Sequence, residues 1–180
     1  MAKLSLVLDP DATAANRGVL QDLVKQFNGL QGSQKFLEIP GYSGNMTITD
    51  NIYSRIVTKG NFDANFKDPD FVENFRALNQ KVGPLAIIFN PKIFDPNNQD
   101  KKPKINILVH EIGHIKWPNL GDDRRKHDPR FYALLSNALV ALGLKVDIQQ
   151  DLQGTDISNV ILPSSAVNDP LGFSFKGALK

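Results

Sequence analysis

Apolar residues recur along this chain in two rhythms, short unbroken runs and spacings of three and four. Leu4 to Leu8 is an apolar run halted by Asp9-Pro10 and predicts a strand. Across Asp11 to Asn28, Leu20, Leu23, Val24 and Phe27 keep helical spacing, and Gly29 ends the pattern. Phe36 to Ile39 predicts a short strand. Met46 to Thr58 is rich in Thr, Ile, Val and Tyr, with Asp50-Asn51 at its middle, and predicts a hairpin. Asp68-Pro69 has the form of an N-cap followed by proline at the first helical position. Phe71, Val72, Phe75 and Leu78 then form one stripe, closed by Gly83-Pro84.

Leu85 to Phe89 is the strongest strand candidate, and a polar loop with three prolines runs from Asn90 to Pro103. Ile105 to Lys116 predicts a buried helix that Trp117-Pro118 stops, because proline disfavours helix at the residue before it. Asp128-Pro129 repeats the cap-and-proline device. Phe131, Leu134, Leu135, Ala138, Leu139 and Leu142 come next as an apolar stripe ended by Gly143. After Val146 the periodicity fades, with Ile157 to Leu162 as a candidate late strand. Strands and helices interspersed in this way predict an α+β fold, with a small mixed or antiparallel sheet packed on helices. Residues 1–150 form the expected domain, and 151–180 an irregular segment packing on it.

Composition narrows the classes. The chain has 180 residues, of which 41% are apolar, enough for one core. Its formal charge of +2 gives no indication of nucleic acid, which calls for a concentrated basic face. The runs Asp100-Lys101-Lys102-Pro103-Lys104 and Arg124-Arg125-Lys126 read as solvated loop charges. With no cysteine there is no disulfide, zinc ribbon or thiol nucleophile. No stretch reaches the roughly eighteen apolar residues that span a membrane. The short apolar N-terminus does not resemble a signal peptide, so the cytoplasm is the default expectation, with signal-less export as the alternative.

All three histidines, His110, His114 and His127, lie close together. Residues four apart on an α-helix sit about 40° apart around its axis, so His110 and His114 share a face and can offer two nitrogens to one ion. Glu111 stands about 100° round from His110, beside such an ion rather than on it. That is the mechanical content of H-E-x-x-H, spelled here His110-Glu111-Ile112-Gly113-His114. Ile105, Leu108, Val109 and Ile112 cover the other sides of the helix. A polar edge on so apolar a helix needs a partner, since each unsatisfied buried polar group costs about 1–3 kcal/mol.

A catalytic zinc takes three protein ligands. Glu111 is the last glutamate in the chain, and Met1 and Met46 are the only methionines. A downstream glutamate ligand and a Met-turn are therefore both ruled out. His127 and the aspartates Asp122, Asp123, Asp128, Asp147, Asp151 and Asp156 are left. His127 is favoured because 12 residues separate it from His114, enough to reverse direction, and because a capped helix start comes directly after it.

The sequence from His110 through His114, a short loop, and then His127-Asp128-Pro129-Arg130-Phe131 with Leu134 resembles the minimal zincin metallopeptidases of the SprT and WLM type. The resemblance covers about 27 residues and implies a zincin-like domain. It also implies one zinc ion held by His110, His114 and His127, and a protein or peptide substrate. The expected activity is endopeptidase hydrolysis by a zinc-activated water, with Glu111 as general base. Tyr132 is the candidate oxyanion donor and Arg130 its rival. Leu85 to Phe89 is the expected exposed strand edge for substrate, and the C-terminal segment a candidate latency element. Two alternatives stand beside this reading: a non-catalytic zinc-binding or interaction domain on the same scaffold, and a zincin-type toxin or effector protease.

Overall fold

The computed structural model describes residues 4–51, 76–80, 85–118, 120, 127–148, 152 and 154–174. Strand β1 (Leu4–Leu8) leads through helix α1 (Arg17–Asn28) and a helical turn, α2 (Ser33–Phe36), into strand β2 (Gly44–Thr49). Strands β3 (Ala77–Gln80) and β4 (Ala86–Phe89) come next, then a 3-10 turn at Pro91–Phe94 and helices α3 (Lys104–Lys116), α4 (Pro129–Ala141) and α5 (Ser164–Asn168). The mixed sheet has the order β1-β2-β4-β3. β1, β2 and β4 run parallel, while β3 is antiparallel to β4 at the edge. Parallel neighbours require a crossover connection, and α1 supplies it between β1 and β2.

Helices cover one face of this sheet. Leu4, Leu6, Met46, Ile48, Ile87 and Phe89 point into a core shared with Leu20, Leu23, Val24 and Phe27 of α1 and with the apolar sides of α3 and α4. Ala86 and Ile88 point to the opposite face with Leu78, and both are fully buried. Burial on both faces explains why β4 reads as an unbroken apolar run rather than an alternating one. Among the described residues, no helix is long and apolar enough to cross a membrane.

Several expectations need correction. Leu85 to Phe89 is not a sheet edge, because β4 lies between β2 and β3; among the described residues the edge beside α3 is β3. Leu78, expected on a helix, pairs in β3 with Ile88, and the remainder of that expected helix, Phe71, Val72 and Phe75, lies outside the described residues. Gly44–Thr49 is not the first arm of a hairpin, since both of its sides are taken by parallel neighbours, β1 and β4. The second half of the expected hairpin, from 52, lies outside the described residues.

Asp50 is instead a buried anchor. It accepts hydrogen bonds from Thr13 N at 2.8 Å, from Asn16 Nδ2 at 2.8 Å and from the Thr13 hydroxyl. Those bonds hold residues 11–16 as a loop, which is why α1 starts at Arg17 rather than at Asp11. Phe36 closes a helical turn instead of opening a strand, so that Phe36, Leu37 and Ile39 are all buried. Residues 157–162 form no strand, and Ile161 is 90% exposed. The C-terminal part packs against α2 and the end of α3. Trp117 Nε1 donates to Phe173 O at 3.1 Å, Ser174 Oγ donates to Lys116 O at 3.1 Å, and Lys35 pairs with Asp169 at 2.8 Å.

Candidate metal centre

Two helices build the centre. α3 runs along the sheet against β3, β4, α1 and α4. Asn106 ties down its first turn by donating to Lys145 O at 2.8 Å. Ten of its thirteen residues are buried, and His110 and His114 form the partly exposed edge. Gly113 sits on this helix where two aromatic rings press closest. A Cβ there would lie 2.8 Å from Trp117 Cζ3 and 3.4 Å from Phe131 Cε2.

α4 supplies the third histidine through its cap. Asp128 N donates to Leu120 O at 2.9 Å, and Asp128 Oδ1 accepts from Arg130 N at 2.9 Å. Pro129 occupies the first turn. The peptide that joins His127 to Asp128 is thus tied to Leu120, and the turn that follows it is capped. At its other end α4 closes on Gly143, at φ 77°, with Gly143 N bonded to Val140 O and Leu144 N bonded to Leu139 O. That is a glycine-dependent C-cap, and it fixes the helix length as the sequence predicts.

Imidazole nitrogens of His110, His114 and His127 all lie within 4.8 Å of one another. Among the described residues this is the group of side chains able to hold a metal ion. His110 Nε2 and His114 Nε2 are 3.0 Å apart. Phe131 floors the cluster: its ring centroid is 5.0, 4.4 and 5.2 Å from those of His110, His114 and His127, and it stacks on His114 at 13°. Burial, reinforced by the neighbouring imidazoles, Lys102 and Arg76, holds the His110 ring well below its ordinary pKa. His110 is therefore neutral at neutral pH, the form in which imidazole binds a metal.

Glu111 sits beside this cluster and not within it. Its side chain is buried, with Oε2 3.9 Å from His110 Nε2. Its other oxygen, Oε1, accepts from Asn79 Nδ2 on β3 at 3.2 Å. Tyr132 is buried and stacks on His127 at a centroid distance of 5.6 Å. Burial raises its pKa, and a main-chain hydrogen bond from His127 to the phenol oxygen partly offsets that rise. Both contacts run to His127, the side chain it helps to hold. Arg130 is engaged by Asp128, with Nη2 2.7 Å from Oδ2, and this pairing lowers the Asp128 pKa.

The loop charges before α3 are less solvated than the sequence suggests. Asp100 pairs with Arg76, and Lys102 is sunk far enough for burial to bring its pKa down to about 8, with Glu111 among the groups opposing that fall. Asp147 and Asp156 take no part in the histidine group. Asp122, Asp123 and Asp151, with the run from Arg124 to Lys126, lie outside the described residues. Two contributors carry no mark of their role in the sequence. Asn79 lies in a stretch whose spacing imitates a helix, and Phe131 is marked as a core position and as the aromatic residue of the resemblance but not as a ring packed on all three imidazoles. Comparison with family models, with curated proteins and with solved structures finds no match to this chain.

Proposed function

We propose that the protein is a zinc-dependent endopeptidase of zincin type, with His110, His114 and His127 as metal ligands and Glu111 as general base. One observation carries this reading. A buried carboxylate stands 3.9 Å from a ligand nitrogen of the histidine cluster yet belongs to no ligand set. A purely structural metal site needs its ligands and has no use for such a group.

The donor set suits zinc. Two imidazoles on α3 and one from the residue before the α4 cap would make three protein ligands, the number used by a catalytic rather than a closed structural site. Zinc held by these residues would supply Lewis acidity toward both an attacking water and a peptide carbonyl. Glu111 takes a proton from the water as its oxygen bonds to the carbonyl carbon. As the C–N bond breaks, the same proton passes to the leaving nitrogen and the carboxylate returns to its ionised form. Tyr132 and the Asp128 cap hold His127 in place. β3, the edge strand packed against α3, offers an extended peptide main-chain pairing alongside Glu111.

Metal analysis and digestion of a peptide library test the proposal, using wild type, Glu111→Ala and His127→Ala. Wild type and Glu111→Ala should each hold one zinc per chain, and Glu111→Ala should lose cleavage by roughly 10²- to 10⁴-fold, the usual worth of a general base. His127→Ala should lose zinc. A zinc-loaded wild type that leaves every peptide intact would overturn the enzyme reading in favour of a metal-binding domain without catalysis.

A further inference from the structure

Asn79 lies on β3, in register with Ile87 of β4. Opposed residues of antiparallel strands point to the same face, and Ile87 belongs to the core on the helix side of the sheet. Strand parity therefore turns Asn79 toward α3 while its neighbour Leu78 packs on the other face. There its amide Nδ2 donates to Glu111 Oε1 at 3.2 Å. An ionised carboxylate only accepts hydrogen bonds, so the amide must present its nitrogen.

A glutamate on a helix has three side-chain torsions, and fixing them costs rotamer entropy. The Asn79 bond ties one oxygen to the sheet. Oε2 is then the oxygen on the histidine side, 3.9 Å from His110 Nε2. From this geometry we infer that Asn79 is the positioning residue for the general base: it acts through Glu111, setting which carboxylate oxygen faces the reacting water. The inference rests on the endopeptidase reading above and adds a coupling between the edge strand and the base. An extended peptide pairing with β3 would lie against the strand that aims Glu111.

Asn79→Ala, Asn79→Asp and Asn79→Gln test it in the full-length, zinc-loaded protein. Asn79→Ala should lower kcat by roughly 10- to 100-fold, the worth of one hydrogen bond to a charged group. KM should stay within about twofold and zinc content should not change, because neither ligands nor main-chain pairing are touched. Asn79→Asp keeps the shape but replaces the donor with a carboxylate, and should lose as much. Asn79→Gln restores an amide and should recover part of the rate.

A readout independent of turnover uses ¹⁵N-labelled protein. The side-chain amide pair missing from Asn79→Ala identifies Asn79, and that pair should shift in Glu111→Gln. Unchanged kcat in Asn79→Ala and Asn79→Asp, beside an active wild type, overturns the role of Asn79 and leaves the endopeptidase standing. A rise in KM or loss of zinc equal to the fall in kcat also overturns it, since a general structural defect would explain both. An inactive, zinc-loaded wild type overturns both readings together.

Discussion

Gly113→Ala should destabilise this protein, although the same change in most exposed helix interiors stabilises. Alanine gains about 1 kcal/mol over glycine from helix propensity. Against that, the new Cβ would sit 2.8 Å and 3.0 Å from Trp117 Cζ3 and Cε3, where carbon pairs prefer about 3.5–4.0 Å. Trp117 has nowhere to go. It is fully buried, its Nε1 is bonded to Phe173 O at 3.1 Å, and its ring is edge-on to Phe36 and Phe131 at 6.1 and 5.7 Å. Overpacking of this kind costs about 1–3 kcal/mol, and loosening the Trp117 bond adds about 0.5–1.5 kcal/mol. The balance is a net loss of about 0.5–3.5 kcal/mol, centred near ~2 kcal/mol, which is about 4–8 °C in Tm for a chain of this length.

Urea and thermal unfolding, each with and without zinc, measure that loss. Because Phe131 stacks on His114 and touches all three imidazoles, zinc affinity should fall together with stability. A Tm that rises by a few degrees, with zinc affinity intact, would refute the reasoning. It would mean that the aromatic wedge between α3 and α4 yields freely and does not locate His127 against the other two ligands.

Two pH experiments probe the supports of the centre. In Asp128→Asn the N-cap survives, since asparagine caps well, and only the pairing with Arg130 is lost. That pairing holds the Asp128 carboxyl below its ordinary value. The advantage of wild type should therefore be constant above about pH 5, where the unfolded carboxyl is ionised too, and shrink as the pH falls toward the lowered folded pKa, and at half-exposed groups it should not exceed about 1 kcal/mol. Urea unfolding from pH 3 to 8 checks both statements. Lys116 is buried, bonded through Nζ to Phe36 O at 3.2 Å, and burial lowers its pKa to about 8. A folded pKa below the unfolded one means that the native state releases its proton first, so stability should climb from about pH 8 to about 10.5. Lys116→Met should remove part of that climb, and Lys102, also lowered to about 8, should keep the rest. Parallel curves for wild type and Lys116→Met would show that Lys116 is not protonated differently in the two states.

What the sequence disclosed, and what it hid, divide along the range of the interactions concerned. The span of α3 and the start and end of α4 depend on contacts within a few residues: Pro118 after Trp117, Asp128 before Pro129, Gly143 at positive φ. All are visible as letters. The sharing of a face by His110 and His114 comes from helix geometry alone, and elimination left His127 beside six aspartates, from which its position ahead of a capped helix singled it out. Strand order was not reachable in this way. Leu85 to Phe89 has the same composition whether β4 is central or at an edge, and only the pairing of Thr47 with Ala86 and of Leu78 with Ile88 decides it. Leu78 continued the helical spacing of Phe71, Val72 and Phe75, so β3 was concealed, and Asn79 with it. Asp50 looked like a turn residue because nothing local reveals that Thr13 and Asn16 will reach it from 37 and 34 positions away.

The same division bears on how the centre is held. The motif supplies its polar edge within one turn of α3, but two supports from distant parts of the chain and one local brace on His127 keep the centre in place. Asn79 reaches Glu111 from the sheet, Phe131 packs on the imidazoles from α4, and Tyr132 braces His127. Asn79 comes from β3 and the adjacent Phe131 and Tyr132 from the first turn of α4, and each is a core or sheet residue as well. Metal affinity and global stability should therefore move together for Phe131 and Gly113. They should separate for Asn79, whose bond touches Glu111 and none of the three histidines. Substitutions that change catalysis without changing zinc content should accordingly map to β3, and those that change both to the contact between α3 and α4.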